Sequence, residues 1–187
     1  MSVRDRLVST GVDLLERQGL AALSLRMIAR EAGVSHGAPR RYFPTYGALL
    51  AAVARRGIDD LDRRLTPALA GPDPSGAVRA AAESYIDFAL TRPEMFELIL
   101  RHDLLAGAGG DLRTVTGRWF GALADALARL RGRSIAAEEV LAMWSGVHGL
   151  ATLLSRGAPE AIGAFDRGRT LDLLLGALLV DSAADVG

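Results

Sequence analysis

The sequence has no cysteine and no lysine, and aromatic residues make up only 5% of it. Without cysteine it has no disulfide framework and no thiolate chemistry, so a reducing cytoplasm is its simplest setting. Its longest apolar stretch, residues 171–180, is interrupted by Asp172 and is too short to span a bilayer. No signal-peptide pattern begins the chain. We therefore expect a cytoplasmic protein without membrane contact, and we attribute the use of arginine for all 22 basic residues to genomic bias.

Motifs of common enzymes are missing as well. The three histidines, His36, His102 and His148, are scattered, and neither H-E-x-x-H nor E-x-x-H spacing occurs. Glu94, Glu97 and Asp103 lie near His102 and could be considered as a metal cluster, but Glu97 and His102 are five positions apart and would face different sides of a helix. We therefore expect no catalytic activity, no metal site and no cofactor.

Helical periodicity runs through the whole chain, and no strand pattern, repeat or low-complexity tract competes with it. Residues 3–18 are predicted as the first helix, and two short helices follow. A fourth begins near Tyr46 and runs to about Leu69, roughly 36 Å at 1.5 Å per residue. A Gly-Pro break follows at residues 71–74, and every later segment has the helical period. The fold is predicted to be all-α with about nine helices.

The two short helices lie around a tight turn between Ser24 and Leu50. Ser24 is suited to cap the first, because its hydroxyl can accept an unpaired backbone N–H. Gly33 can adopt the left-handed backbone that ends a helix, and Ser35 can cap the next helix. The first helix has an apolar stripe at helical spacing, formed by Leu25, Ile28, Ala29 and Ala32. This pattern indicates a helix-turn-helix.

Charge is unevenly divided along the chain. Residues 1–56 hold nine arginines and four acidic residues, a formal charge of +5, whereas residues 57–187 hold thirteen arginines and eighteen acidic residues, −5. A basic module fused to an acidic remainder is typical of a phosphate-binding domain joined to one that does not bind nucleic acid. Arg4 and Arg6 either contact phosphate or are plain surface charges.

The helix-turn-helix segment resembles that of TetR-type transcriptional regulators, whose usual form is close to A-G-V-S-x-G-x-L-Y-x-[HY]-F-x-[SN]-K-x-x-L. The matching positions are Ile28, Ala29, Ala32, Gly33, Val34, Ser35, Gly37, Tyr42, Phe43 and Leu49. The chain departs from the form at Pro39, Arg40 and Tyr46, which replace Leu, Tyr and Lys. Because proline lacks an N–H, we expect the second helix to start late and to lose one hydrogen bond. The resemblance implies a DNA-binding domain over residues 1–46 and a ligand-binding and dimerisation domain over residues 47–187.

A recognition helix enters the major groove while the preceding helix crosses the DNA backbone. We therefore expect His36, Gly37 and Ala38 to lie where bases are read, with Arg41 suited to guanine. Arg40 takes the place of a phosphate-binding Tyr of the family, and a guanidinium can bind the same oxygen. The remaining candidates for DNA contact are Ser24, Arg26, Ser35, Tyr42 and Tyr46. For Tyr42 a half-buried packing role fits about as well.

The later helices resemble a branch of the family that carries W-x-x-x-H-G, here residues 144–149. Trp144 and His148 are four positions apart and share one helix face. Such a histidine is either a core group or a ligand contact, and aromatic residues at this spacing are either core or cavity wall. The candidate ligand contacts are Phe96, Trp119, Phe120, Trp144 and His148. Because no concentrated charge lies among them, the expected effector is apolar or aromatic.

The resemblance implies a ligand-responsive regulator, most often a repressor, that binds a palindromic operator in double-stranded DNA as a homodimer. The last two long helices are more apolar than one surface-facing stripe requires, and pairing with their copies would bury them. A dimer is also expected because one short recognition helix reads only a few base pairs. The alternatives are an enzyme, and an all-helical ligand-binding or scaffolding protein without DNA contact.

Overall fold

The computed structural model describes residues 1–101, 105, 112–158 and 163–179. Within these ranges all regular structure is helical, which confirms the all-α prediction. The nine described α-helices are α1 (Val3–Gln18), α2 (Leu25–Glu31), α3 (Ala38–Tyr42), α4 (Tyr46–Leu69), α5 (Pro74–Thr91), α6 (Pro93–Leu100), α7 (Leu112–Arg131), α8 (Ala137–Ser155) and α9 (Arg167–Leu179).

The chain divides into two compact units. The first unit consists of Met1–Asp62 and Thr91–Thr116, and the second of Arg63–Leu90 and Gly117–Gly187. Helix α4 contributes to both, since the division falls between Asp62 and Arg63. The two units are defined by which residues pack together. The boundary that we predict at residue 46 separates domains by function, and it stays a prediction.

The core of the first unit is built from one apolar side of each helix. Its largest fully buried side chains are Leu7, Leu14, Leu15, Ile28, Leu49, Leu50, Leu61, Met95 and Leu98. Burial of a leucine or isoleucine contributes about 1.5–3 kcal/mol. Helices α2 and α3 have only seven and five residues. Helices this short are unstable in isolation, so packing on this core holds them in place.

The turn after α2 has the geometry that the sequence predicts. The Ser24 hydroxyl oxygen accepts the N–H of Met27 at 3.2 Å and caps the start of α2. Gly33 has φ +64°, and its N–H donates to the Arg30 carbonyl. The N–H of Val34 donates to the Ala29 carbonyl at 3.0 Å, which completes a Schellman motif.

Helix α3 begins late, at Ala38, as expected from Pro39. Ser35 does not cap it: Gly37 is the N-cap residue and no side chain caps the helix. The Ser35 carbonyl instead accepts the N–H of Ala38 at 2.9 Å, closing the turn. Pro39 is the second helical residue, where an N–H has no intrahelical partner. The prediction that Pro39 removes a hydrogen bond from α3 is therefore wrong.

The second unit packs α5, α7, α8 and α9 around its own core. Ile86, Phe88 and Leu127 are among its fully buried side chains. Helix α8 approaches α9 closely at Gly146, where an added Cβ would lie 3.0 Å from side-chain carbons of Leu174 and Leu178. The lack of a side chain at this position lets the two helices pack closely.

Two ion pairs join α9 to α5. Arg79 pairs with Asp172, and Arg167 donates to Asp87 at 2.7 Å. All four side chains are partly exposed, so each pair contributes little free energy but limits the positions that α9 can take.

Replacement of Gly57 by alanine tests the packing of α4 on α6. A Cβ at Gly57 would lie 2.5 Å from Cγ and Sδ of the buried Met95. We expect Gly57→Ala to lower the free energy of unfolding by about 1–3 kcal/mol, measured by urea denaturation. The control is Gly121→Ala on α7, where nothing lies within 4 Å of the added Cβ. The control should stabilise by about 0.5–1 kcal/mol, and equal effects of both changes would contradict this packing.

Candidate functional site

Helix α3 presents three consecutive side chains to solvent between two buried residues. Pro39 is buried, and Phe43 is only 3% exposed. These two residues are four positions apart and therefore lie on one side of the helical turn. Arg40, Arg41 and Tyr42 lie between them and are exposed. The structure thus leaves both guanidinium groups available to a partner.

The other predicted DNA contacts lie in the same unit, at the ends of α2 and before α3. Ser35, His36 and Gly37 are exposed in the turn, and Ala38 is half-buried. Ser24 and Arg26 are exposed at the start of α2. The Ser24 oxygen already accepts the Met27 N–H, but its hydroxyl can still donate a hydrogen bond.

Tyr46 makes a contact that the sequence did not predict. Its hydroxyl donates to the Leu23 carbonyl at 2.9 Å, and the residue is half-buried at the start of α4. Burial raises the pKa of Tyr46, so the hydroxyl keeps its proton. Because that proton is already donated within the protein, we no longer expect Tyr46 to donate to DNA phosphate. Its hydrogen bond instead joins α4 to the residue that precedes Ser24.

Two more contacts support α3 and were not predicted. The Thr45 hydroxyl oxygen accepts the N–H of Ala48 at 3.0 Å and caps α4 immediately after α3. The guanidinium carbon of Arg4 lies 5.2 Å from the centre of the Phe43 ring, a cation–π contact. The first has a sequence signal, a threonine three residues before the N–H that it caps. The second depends on tertiary packing and has none.

Arg92 joins three helices of the first unit. It precedes α6, and its Nε donates to Glu16 of α1 at 2.6 Å. Its Nη1 donates to Asp60 of α4 at 3.1 Å. The Arg92 side chain is 20% exposed. One guanidinium that engages two carboxylates fixes more geometry than separate surface pairs do, so it restrains α6 against α1 and α4.

The five predicted ligand contacts fall into different units. Phe96 belongs to the first unit and is 3% exposed in its core. Trp119, Phe120, Trp144 and His148 belong to the second. The Trp144 and His148 rings are stacked, with centres 4.8 Å apart and planes at 15°. Phe120 meets Trp144 edge to face at 5.6 Å, so these three rings form one aromatic cluster.

Tyr85, which is only 8% exposed, adds a polar connection to the aromatic cluster. Its hydroxyl lies 2.9 Å from Nδ1 of His148, and it also forms a hydrogen bond with the Trp144 side chain. The indole can only donate, so the Tyr85 oxygen accepts from Trp144, and we expect the Tyr85 proton to be donated to Nδ1. With this direction, the proton of neutral His148 is expected on Nε2. Burial lowers the pKa of His148 and raises that of Tyr85, which keeps both groups neutral at pH 7.

Other kinds of site find no support among the described residues. No three His, Cys, Asp or Glu side chains lie close enough together there to hold a metal ion. His102 and Asp103 lie outside the described residues. Residues 33–37 fit the letters G-x-S-x-G, but a nucleophile elbow follows a strand and this segment follows helix α2. None of the described helices has the length and apolarity needed to cross a membrane.

The assignment of the His148 tautomer can be tested by ¹⁵N NMR of the imidazole. At pH 7.5 we expect a neutral ring with its proton on Nε2, because Nδ1 accepts from Tyr85. As the pH falls below the ordinary histidine pKa of about 6.5, the unfolded chain takes up a proton before the folded protein does, so stability falls. Tyr85→Phe should weaken the tautomer preference. A proton on Nδ1 at pH 7.5 would contradict the assignment.

Two family models match consecutive parts of the chain. One is described as bacterial regulatory proteins of the tetR family and matches residues 7–53, including α2 and α3. The other is described as a tetracyclin repressor-like C-terminal domain and matches residues 78–178, more than half of the chain. The second match includes Tyr85 and the aromatic cluster.

Solved structures agree with these two family-model matches. A TetR transcriptional regulator from Streptomyces coelicolor is 33% identical, with a TM-score of 0.55 over 94% of this chain and 97% of that one. A protein of unknown function from Rhodococcus sp. RHA1 is 27% identical, with a TM-score of 0.81 over 96% of this chain and 94% of that one. The TetR family regulator PfmR from Thermus thermophilus is 19% identical over both full lengths, with a TM-score of 0.67, and shows the fold alone.

No curated protein matches the chain. The two family models nevertheless match in the order in which the domains occur, and the amino-terminal match coincides with the helix-turn-helix. The chain therefore belongs to the TetR family of DNA-binding transcriptional regulators.

Proposed function

We propose that this regulator is a repressor that binds a palindromic operator as a homodimer and is released from it by a small molecule. Exposure of Arg40 and Arg41 between the buried Pro39 and Phe43 carries the proposal. Residues 1–46 act as the DNA-binding domain, and residues 47–187 bind the ligand and pair the subunits. The protein acts in the cytoplasm, where its DNA target lies.

Each exposed group of the helix-turn-helix has a role in the proposed complex. Arg41 binds a guanine edge through two parallel hydrogen bonds, and Arg40 binds a backbone phosphate. The turn residues Ser35, His36 and Gly37, with Ala38 after them, face the bases. Ser24, Arg26 and Tyr42 bind phosphate oxygens on either side.

Apolar side chains left exposed on the last two described helices support a dimer. Leu141 and Leu153 on α8 are 57% and 53% exposed, and Leu173 on α9 is 67% exposed. Exposed large apolar groups on two helices that pack together indicate an interaction surface. A second copy presenting the same helices would bury these leucines around a two-fold axis.

The aromatic cluster supports an apolar or aromatic effector. Trp144 and Phe120 offer ring surfaces, and the neutral His148 and Tyr85 add no net charge. To move the dimer from 99% to 1% DNA-competent, the effector must favour the released state by about 5.5 kcal/mol. Helix α4 belongs to both units and is the element through which this preference acts.

Separate alanine substitutions distinguish the two arginine roles. Arg41→Ala should weaken binding to the preferred operator by about 1–3 kcal/mol and relax its sequence preference. Arg40→Ala should weaken binding to all duplexes alike and reduce the salt dependence by about one phosphate contact. Gel shifts with salt titration, on an operator selected from random duplexes, measure both effects. Arg156→Ala, an exposed arginine after α8, is the control.

Three results would count against these roles. If Arg40→Ala changes the preferred sequence while Arg41→Ala does not, the roles are exchanged. If the Arg156→Ala control weakens DNA binding as much as either substitution, the loss reflects overall charge. If the unaltered protein binds no duplex even at low salt, the alternative of a helical ligand-binding or scaffolding protein is favoured.

Charge placed on the exposed leucines tests the dimer. Leu141→Glu combined with Leu173→Glu should convert the protein to a monomer in analytical ultracentrifugation, because each carboxylate would be buried without a partner in the dimer. The helical circular dichroism should be unchanged, since both positions are exposed in the single chain. Leu90→Glu on α5, 38% exposed, is the matched control and should remain dimeric. A double variant that stays dimeric would show that subunits pair elsewhere.

A further inference from the structure

A groove of about 500 Å³ opens on the first unit between the start of α1, the end of α3 and one side of α4. The lining residues that are exposed are Arg4, Tyr42 and Arg56. Three apolar lining residues are each at most 3% exposed, namely Val8, Phe43 and Ala51. The groups that a ligand would meet are therefore two guanidiniums and a phenol hydroxyl, so the groove is a polar site.

Arginine side chains dominate the charge of the groove. Arg4, Arg55 and Arg56 line it together with one carboxylate, Asp59, which gives a formal charge of +2. Asp59 accepts from Arg55 Nε at 2.7 Å. Neither Arg4 nor Arg56 forms an ion pair with a carboxylate in the part of the chain that the structure describes. Both guanidiniums therefore have hydrogen-bonding capacity for an anion.

Arg4 and Arg56 also lie near one another. The pKa of Asp5 is lowered mainly by hydrogen bonds from Ser2 and, to a smaller extent, by the positive charges of Arg56 and Arg4. Since one carboxylate senses both charges, the two guanidiniums belong to the same region of the surface. Asp5 does not line the groove, and it is committed to Ser2, whose hydroxyl donates to it at 2.7 Å.

The Phe43 ring holds the Arg4 guanidinium beside the end of α3. The guanidinium carbon lies 5.2 Å from the ring centre. A guanidinium has five N–H donors, more than a single ring contact can engage. Arg4 is thus positioned by the protein while it keeps donors for a partner.

The exposed groups of the groove match an anion that only accepts hydrogen bonds. A guanidinium can donate but not accept, and the Tyr42 hydroxyl can donate one hydrogen bond. Phosphate oxygens accept from guanidinium groups in pairs of parallel hydrogen bonds. Ala48 and Ala52, one turn apart on α4 and half-buried, leave space beside these donors. The chemistry of the groove therefore selects a phosphate.

The position of the groove selects the DNA backbone as the source of that phosphate. Tyr42 lines the groove and is also one of the residues that we propose to bind DNA. Ala48 and Arg56 are eight positions apart on α4, about 12 Å at 1.5 Å per residue. Phosphates of one DNA strand recur about every 3.4 Å along the helix axis. A strand that reaches Tyr42 can therefore place a neighbouring phosphate in the groove.

We propose that this groove is an additional phosphate site of the DNA-binding surface, in which Arg4 and Arg56 together bind a backbone phosphate next to the one at Tyr42. The inference rests on the proposed DNA contacts of α3 and adds the side of α4 to them. Arg56 lies ten positions beyond Tyr46, so the DNA-binding surface continues past the boundary at residue 46. Arg4 is thereby assigned to a phosphate rather than to a plain surface charge.

Operators with single neutral phosphates test the site. In an operator selected from random duplexes, each phosphate of one strand is replaced in turn by an uncharged methylphosphonate, and affinity is measured by fluorescence anisotropy. Arg56→Gln should weaken binding about tenfold for each bound subunit, because a charge-assisted contact is lost. The salt slope should fall by about 0.9 for each bound subunit. Neutralising the contacted phosphate should weaken binding by the unaltered protein about tenfold but have little further effect on Arg56→Gln.

Matched variants separate this contact from overall charge. Arg156→Gln removes an exposed arginine after α8 and should leave the affinity and the effect of every methylphosphonate unchanged. Arg56→Lys keeps the charge without the paired hydrogen bonds, so it should retain more affinity than Arg56→Gln. Ala52→Glu places a carboxylate one turn before Arg56, where the two can pair, and should weaken binding at least tenfold. Ala52→Gln, of nearly equal size and uncharged, should weaken it much less.

Four results would overturn the proposal. If Arg56→Gln keeps the affinity and the salt slope, no phosphate is bound there. If the loss in Arg56→Gln is coupled to no single phosphate, it reflects overall charge. If Arg4→Gln and Arg56→Gln are coupled to different phosphates, the two arginines do not share a site. Saturable binding of inorganic phosphate to the DNA-free protein, with operator affinity unchanged in Arg56→Gln, would assign the groove to a free anion.

Failure of this inference is distinguishable from failure of the proposed function. The coupling is measured between one side chain and one phosphate, so it requires neither an effector nor a dimer. If the unaltered protein binds no duplex, the DNA contacts of α3 and of the groove are overturned together. Tight operator binding that Arg56→Gln leaves unchanged would overturn the groove alone.

Discussion

Burial of Pro39 and Phe43 is the constraint on which the DNA-binding surface depends. A five-residue helix has almost no stability of its own, so its orientation is set by the side chains that it buries. With these two buried on one side, Arg40 and Arg41 have no place in the core and must be presented outward. The family's usual leucine is replaced by proline, yet the position keeps its apolar contact, and the ring fixes φ at a value that the first turn requires.

The local features of the fold were predictable because they depend on neighbouring residues. The bounds of α1 and α4, the Ser24 cap and the left-handed Gly33 all follow from spacing and residue type. Ser35 was assigned wrongly as a cap because the turn continues through His36 and Gly37 before α3 begins. A serine in a turn and a serine at an N-cap look alike in sequence, and only the hydrogen bond from Ala38 distinguishes them.

Contacts between distant residues were not predictable. The Tyr46 hydroxyl donates to the carbonyl of Leu23, which precedes α2, and Arg92 donates to carboxylates on α1 and α4. The helical periodicity does not specify how these segments pack. The same holds for Tyr85. Its role became visible only when folding placed it beside His148, 63 positions along the chain.

The hydrogen-bonded chain from Trp144 through Tyr85 to His148 changes how the aromatic cluster should be understood. Partial burial of His148 disfavours the imidazolium, and the neutral imidazole needs only the hydrogen bond with Tyr85. The cluster can therefore remain uncharged while its hydroxyl, indole and imidazole groups still offer hydrogen bonds. If the cluster is the ligand site that we propose, such an arrangement would discriminate between ligands by hydrogen-bond geometry more strongly than aromatic packing alone.

Within the first unit, transmission of a ligand signal has a physical requirement. Arg92 joins the start of α6 to α1 and α4, and the packing of Met95 at Gly57 joins α6 to α4 a second time. Both connections are short, and neither can stretch without losing a charge-assisted hydrogen bond or opening a cavity. Rotation of α6 alone would break both, whereas movement of α1, α4 and α6 together preserves them. The helix-turn-helix packs on α1, so a collective movement of these helices would also move Arg40 and Arg41. In the dimer that we propose, a small shift of α6 would therefore change the spacing between the two copies of α3 without deforming either one.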